Sequence, residues 1–162
     1  RMKKIEMYEF IKGFDGLENL EGYEFVKGVT KNYNLFKNEL EVLEKAKNTN
    51  KGFGEYQEAV QAVIRENAKK DENGEFIIGK DEAGRETYTL IEENITKVNK
   101  TLKSLETKHK DAITTQQENE QKFLDELNSE VSEDLSMINE SDIPKNITAK
   151  QMKLVFSMIK FD

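Results

Sequence analysis

The spacing of apolar residues along the chain predicts mostly helices. In the clearest stretch, between residues 23 and 47, apolar side chains recur at alternating steps of three and four residues. Such a pattern places one apolar stripe, or seam, along a helix. The members of this seam are Val26, Val29, Tyr33, Phe36, Leu40 and Leu43. We therefore expect one long helix here, with a face that needs a partner.

A second seam, from Phe53 to Asn67, follows a polar loop that contains Gly52 and Gly54. The two seams together predict a helical hairpin over about 23–70, in which each helix covers the other. A homodimeric coiled coil is the alternative partner for the first seam. The internal partner is favoured because the second seam is tethered nearby at high effective concentration.

The chain before the first seam has helical apolar spacing from Met7 to Leu20. Gly13 and Gly16 interrupt this pattern, and each glycine costs about 1 kcal/mol in a helix relative to alanine. This helix must therefore depend on packing against the rest of the protein.

The period changes after the turn sequence Asp71–Gly74, and alternation over about 75–90 predicts a β-hairpin. Thr89 and Glu92 have the spacing of a capping box, which predicts that a helix follows over about 91–127.

The stretch 131–138 is ambiguous. Val131, Leu135 and Ile138 fit a helix, whereas Val131, Leu135 and Met137 would share one face of a strand. We favour an extended segment that pairs with the hairpin as a third strand.

The last helix is predicted over about 148–160, because Thr148 and Gln151 have capping-box spacing and follow Pro144. The length of 162 residues suits one domain, over 2–162. The predicted fold class is α+β, predominantly α: an antiparallel helical bundle with a small β-hairpin or a three-stranded sheet.

Composition excludes several kinds of chemistry. The chain has no cysteine, which rules out disulfides, thiolate metal sites and cysteine nucleophiles. It has no apolar run near the roughly 20 residues of a membrane helix and no signal-like apolar segment near the N-terminus. We therefore expect a cytoplasmic protein without a membrane association.

The candidate catalytic and ligand residues lack the partners that such roles require. His109 is the only histidine, with no recognisable nucleophile or orienting acid near it in sequence. The turn at Asp71, Asn73 and Gly74 has its glycine too early for an EF-hand calcium loop. Carboxylate pairs are expected by chance among 32 acids. We predict no catalytic residue, no cofactor and no metal site, and therefore no enzyme.

Charge is concentrated in one part of the chain, residues 115–144, which hold nine acids and one base. This acidic segment is either a solvated face or a docking surface for a basic protein. A more specific form of the second alternative is nucleic-acid mimicry, in which the carboxylates occupy positions like those of phosphates. Since the remaining residues are nearly neutral, we expect no direct nucleic-acid binding. The predicted partner-binding residues are Glu120, Phe123, Leu124, Asp125, Glu126 and Leu127.

Three stretches resemble a group of small bacteriophage proteins. They are Phe25 to Asn32 with the helix from Asn34 to Leu43, the turn at Lys69–Gly74, and the sequence from Ser141 to Thr148 before the last helix. The resemblance lies in order and spacing over most of the chain.

The resemblance implies a phage origin, a location in the host cytoplasm and action through protein contacts, with a host or a phage protein as the partner. The leading expectation is a non-enzymatic inhibitor of a host protein or of a host defence system, similar to an anti-CRISPR protein. The alternative is a virion assembly or accessory structural protein.

Overall fold

The computed structural model describes residues 2–162 and confirms an α+β fold that is predominantly helical. The helices are α1 (Lys4–Gly13), α2 (Tyr23–Lys47), α3 (Lys51–Glu66), α4 (Ile95–Lys108), α5 (Lys110–Leu127) and α6 (Ala149–Val155). The strands are β1 (Ile78–Lys80), β2 (Glu86–Tyr88), β3 (Ile138–Asn139) and β4 (Ile159–Lys160). Strands β1 and β2 pair antiparallel as the predicted hairpin, and β3 pairs parallel with β4.

Internal contacts divide the chain into two compact units. The terminal unit contains the chain up to Asn48 together with Asn119–Asp162, and the central unit is Thr49–Glu118. The division falls within α5. The single domain over 2–162 stays a prediction, and each unit is described by itself below.

The terminal unit has a continuous apolar core built on α1 and α2. Phe10 of α1 meets Phe36 of α2 edge to face, with ring centroids 5.5 Å apart. The ring of Phe14 lies 4.3 Å from that of Tyr33. The buried core residues are Met2, Met7, Phe10, Leu17, Leu20, Phe25, Val29, Phe36, Leu40, Leu127, Ile138, Val155, Met158 and Ile159.

Helix α2 has the predicted bounds but not the predicted partner. Its buried face is completed by Phe25 and Asn32, whereas Val26 of the predicted seam is 43% exposed. The buried positions follow the 3.6-residue period of a straight helix rather than a coiled-coil heptad. This face packs against α1 and the C-terminal elements of the terminal unit, so the expectation that α3 would cover it was wrong.

The segment 131–138 is not helical, and its expected pairing with the hairpin is wrong. Only Ile138 belongs to a strand, and that strand pairs with β4. The side chain of Asn32 donates to the backbone oxygen of Ser136 at 3.0 Å and accepts from its backbone nitrogen at 2.7 Å. Because a buried side chain of α2 satisfies both backbone groups, this part of the segment needs no neighbouring strand.

Two glycines of the terminal unit are sites of close packing. A Cβ atom at Gly13 would lie 2.7 Å from Cδ1 of Leu154 in α6. A Cβ atom at Gly28 would lie 2.5 Å from Cγ1 of Ile138 in β3. Gly13, predicted only to weaken the first helix, therefore lets α6 approach α1 closely.

The central unit consists of α3, the β-hairpin, α4 and the start of α5. Helices α3 and α4 pack against each other. Within Thr49–Glu118, Ala68 and Val98 are the buried apolar residues, and the other apolar side chains are half-buried or exposed. The core of this unit is therefore thin.

The two turns of the central unit share one hydrogen-bond pattern. Oδ1 of Asp71 accepts from the backbone nitrogens two and four residues later, at 2.9 and 3.0 Å. Oδ1 of Asp81 does the same at 3.0 and 2.9 Å. Gly74 and Gly84 have φ values of 80° and 76°, which favour glycine. The predicted turn at Asp71–Gly74 is confirmed.

One predicted cap is confirmed and one is wrong. Thr148 and Gln151 form the reciprocal capping box at the start of α6, although that helix ends at Val155 instead of continuing to 160. Thr89 caps no helix, because its backbone nitrogen donates to Ile77 in the hairpin, at 3.1 Å. A 3-10 turn at Glu92–Asn94 leads into α4 instead, and the predicted helix over 91–127 is interrupted at His109.

Candidate protein-binding site

The second half of α5 buries Leu127 and partly buries Phe123, although both were expected to be exposed. Leu127 is 7% exposed and belongs to the apolar core. Phe123 packs edge to face on Tyr8 at 6.4 Å, and Nζ of Lys47 lies 4.3 Å from its ring centroid. Leu124 is 51% exposed, as predicted. Phe123 and Leu127 therefore both stabilise the terminal unit. The expectation that Leu127 is exposed was wrong, whereas the partner-binding role of the half-buried Phe123 stays a prediction.

Glu126 is also engaged within the terminal unit. Its carboxylate accepts a hydrogen bond from Nζ of Lys4 at 2.6 Å, and Glu39 lies 3.3 Å from the same nitrogen. The ammonium group of Lys4 is almost buried. The hydrogen bond that Lys4 donates to Glu126 is the largest influence that raises the pKa of Lys4 above its ordinary value. This cluster connects α1, α2 and α5.

The remaining predicted residues, Glu120 and Asp125, are exposed with Leu124 on the outside of α5. Asp125 accepts a hydrogen bond from Gln121 at 2.9 Å, one turn earlier. The partner-binding role of these three residues stays a prediction.

Past α5 the acidic segment runs beside the start of the chain. The backbone nitrogen of Lys4 donates to Ser129 at 3.0 Å, and the backbone nitrogen of Val131 donates to Met2 at 2.9 Å. These bonds hold residues 129–131 against residues 2–4. The chain that follows, up to β3, has no regular secondary structure and forms the wall of a cavity.

This cavity has a volume of about 470 Å³ and a mixed lining, in which Ser132 and Ser157 lie among the apolar residues. Met2, Val131 and Leu135 line it, and Met137, which is 52% exposed, lies beside them. These residues include the three that would share one face of an extended segment, Val131, Leu135 and Met137. The sequence therefore contained the signal for this site, although the predicted partner-binding residues lay about ten positions earlier.

The rim of the cavity is acidic. Glu133 and Asp134 line it, and both side chains are exposed. Neither carboxylate has an ion pair or a side-chain hydrogen bond within residues 2–162. We call this feature, made of Met2, Val131, Glu133, Asp134, Leu135 and Met137, the acid-rimmed cavity.

A second cavity of the terminal unit has charged residues of both signs in its lining. It has a volume of about 680 Å³ and lies where α6 packs on α1. Glu6 and Glu9 line it together with Lys12, Lys150 and Lys153, so both signs of charge are present. Oε1 of Glu6 is already hydrogen-bonded to Ser157 at 3.3 Å. This cavity indicates no particular class of ligand.

The surroundings of His109 and Asp71, the other candidate residues, favour structural roles. His109 caps the end of α4, and its ring centroid lies 5.6 Å from that of Tyr56. The Asp71 carboxylate is occupied by the backbone of its own turn, which favours a structural role. Among residues 2–162, no group of three or more histidine, aspartate or glutamate side chains is arranged to hold a metal ion.

None of the helices in the described part of the chain is long and apolar enough to cross a membrane. Comparison of the chain with protein families, with curated proteins and with solved structures finds no significant match.

Proposed function

We propose that this chain is a non-enzymatic bacteriophage protein that binds a host protein through the acid-rimmed cavity and thereby blocks it. The acid-rimmed cavity is the observation that carries the proposal. Protein interfaces combine an apolar centre with a polar rim, and a few central side chains supply most of the affinity. The cavity offers both parts on one surface of the acidic segment.

The chemistry of the cavity favours a basic partner. A lysine or arginine side chain has a long apolar stem and a charged end. The stem would lie along Val131, Leu135 and Met137, while the cation would reach Glu133 or Asp134. Methionine adapts its shape to different partners because its side chain is unbranched and flexible. We therefore expect a basic segment of the host protein to occupy the site.

The test is capture of a host protein from lysate by immobilised protein, followed by measured binding of the purified partner. Glu133→Lys with Asp134→Lys should weaken binding at least about tenfold, mainly through slower association, because the rim attracts the partner before contact. Increasing the salt concentration should reduce the association rate of the wild type, since the Debye length is only about 8 Å at physiological ionic strength.

The matched control is Glu72→Lys with Glu82→Lys, which changes the net charge equally at two exposed turn positions of the central unit. The control should bind as the wild type does. Glu72 and Glu82 are better control positions than Glu126, because reversing the charge of Glu126 would also break its ion pair with Lys4. Equal binding by the wild type and by Glu133→Lys with Asp134→Lys at low salt would refute the cavity as the binding site.

The alternative function, virion assembly, is favoured by a second and oppositely charged surface on α4. This helix carries four lysines and one acid, Glu106. A protein with complementary surfaces at different places can add copies of itself head to tail, as assembly proteins require.

A further inference from the structure

The outer face of α4 is a row of exposed lysines. Lys97, Lys100, Lys103 and Lys108 are all exposed, and none forms an ion pair within residues 2–162. At about 1.5 Å per residue, the row is roughly 16 Å long. We call these four residues the lysine face.

The hydroxyl groups along this part of α4 are satisfied within the helix. Oγ of Ser104 donates to the backbone oxygen of Lys100 at 3.2 Å, and Oγ1 of Thr107 donates to that of Lys103 at 3.2 Å. The ammonium groups are therefore the groups on this face that can gain partners. The opposite side of α4 is fixed in the central unit by Val98, which is 1% exposed.

We infer that the lysine face of one copy docks at the acid-rimmed cavity of a second copy of this chain. The inference rests on the proposed role of that cavity as a protein-binding site. Charge complementarity carries it: the lysine face has four unpaired cations, and the rim has two unpaired carboxylates within a segment of nine acids and one base. A lysine stem also matches the apolar side chains of Val131, Leu135 and Met137 beside the rim.

The net charge of −7 does not prevent this contact. At physiological salt, charges more than about 8 Å apart are largely screened, so the local pairing of the two surfaces outweighs the repulsion between whole molecules. Because the two surfaces differ, each copy has one of each free for the next. The contact is heterologous and builds open chains or rings rather than a closed symmetric dimer.

Sedimentation velocity of the full chain tests the inference. The wild type should form oligomers at about 0.05 M salt and dissociate at about 0.5 M salt, as screened ionic contacts do. The face variant, Lys97→Glu with Lys100→Glu and Lys103→Glu, should weaken self-association at least about a hundredfold. The rim variant, Glu133→Lys with Asp134→Lys, should do the same.

Mixing the two variants gives the sharpest outcome. The face variant retains an intact cavity and the rim variant retains an intact lysine face. Their equimolar mixture should therefore form a one-to-one dimer that grows no further. The matched control is Lys31→Glu with Lys37→Glu and Lys45→Glu, three exposed lysines of α2, and it should oligomerise as the wild type does. Circular dichroism establishes that every variant is folded.

Several results would overturn the inference. A wild type that stays monomeric at low salt would do so, as would a mixture of the variants that does not pair, or a control that loses association as fully as the face variant. Binding of duplex DNA by a monomeric wild type, lost in the face variant, would instead assign the lysine face to nucleic acid.

The proposed function can fail separately. A monomeric wild type that captures a host protein through Glu133 and Asp134 would refute self-association and support the inhibitor role. Oligomers without any captured host protein would refute the inhibitor role and support assembly.

Discussion

Gly28 provides a sharp test of how α2 meets β3. An added Cβ atom would lie 2.5 Å from Cγ1 and 3.0 Å from Cδ1 of Ile138. Ile138 is 2% exposed, and its strand pairs with β4, so it has little room to move. Gly28→Ala therefore forces a buried neighbour out of a position that packing and hydrogen bonds both hold.

The expected magnitude follows from two opposing effects. Alanine in the middle of a helix gains about 1 kcal/mol over glycine. Overpacking a core costs about 1 to 3 kcal/mol, and the upper half of that range applies because the contact is far shorter than a van der Waals separation. We expect Gly28→Ala to lower the free energy of unfolding by about 1 to 2 kcal/mol.

The effect of Gly28→Ala on the free energy of unfolding should change sign when the clash with Ile138 is removed. Ile138→Ala alone should cost about 2 to 5 kcal/mol because it leaves a cavity. In that background the methyl group added by Gly28→Ala occupies vacated space, so the substitution should raise the free energy of unfolding by about 1 kcal/mol. The two substitutions should therefore show a coupling energy of about 2 to 3 kcal/mol.

Urea denaturation of the wild type, both single variants and the double variant measures this cycle. The control is Gly54→Ala in α3, where a Cβ atom would meet nothing within 4 Å. That variant should gain up to about 1 kcal/mol. If Gly28→Ala stabilises as much as Gly54→Ala, or acts with the same sign in both Ile138 backgrounds, close packing against Ile138 does not limit this position.

The remaining predictions concern the core, the buried lysine, alkaline pH and metals. Leu40→Ala should cost about 2 to 5 kcal/mol in urea denaturation, because Leu40 is 6% exposed; a loss below about 0.5 kcal/mol would contradict its place in the core. Lys4→Met removes the cation from Glu126, whose side chain is 50% exposed, so the same assay should show a loss of about 1 to 2 kcal/mol rather than the about 3 to 5 kcal/mol of a fully buried pair. Burial, together with a hydrogen bond to Glu44, raises the pKa of Tyr8 to about 12, and the pKa of Lys4 is also raised. Both groups keep their protons to higher pH when folded than when unfolded, so their stabilisation is complete below about pH 10 and is lost as pH rises through the folded pKa values. Denaturation at a series of alkaline pH values should show this decline, and Tyr8→Phe should make it shallower. EDTA should leave the melting temperature unchanged, and a shift of several degrees would reveal a structural metal.

Local signals in the sequence predicted individual elements well. The bounds of α2, the β-hairpin with its turn at Asp71 and the capping box of Thr148 all depend on residues within a few positions of one another. The wrong cap at Thr89 had the same spacing as the correct one. It failed because the hairpin uses the backbone of Thr89, and that is a contact between strands rather than a property of the local sequence.

Long-range contacts account for most of what was missed. Helical spacing alone could not decide between Phe25 and Val26 as the buried residue, because the core that Phe25 joins includes Ile138 and Ile159, more than a hundred positions away. The same holds for Asn32, a polar residue whose burial depends on the backbone of Ser136.

The candidate site shows the same limit. The second half of α5 contains only Phe123, Leu124 and Leu127 as apolar residues, too few to determine which side of the helix faces the core. The structure directs Phe123 and Leu127 inward and Leu124 outward. The cavity itself depends on residues 2–4 lying beside residues 129–131, which no local pattern indicates.

The division of the chain has a consequence for synthesis on the ribosome. The terminal unit is interrupted in sequence by the central unit, so Phe10, Phe25 and Phe36 are made long before Ile138, Val155 and Ile159. At roughly 5 to 20 residues per second, the gap between Asn48 and Ile159 lasts about 6 to 20 seconds. Throughout that time the aromatic core of α1 and α2 lacks its cover, whereas the continuous segment Thr49–Glu118 is complete about 40 residues before Ile159 is made. The central unit can therefore form before the terminal unit is complete, and the apolar face of α1 and α2 stays open to chaperones until the C-terminal elements have been made.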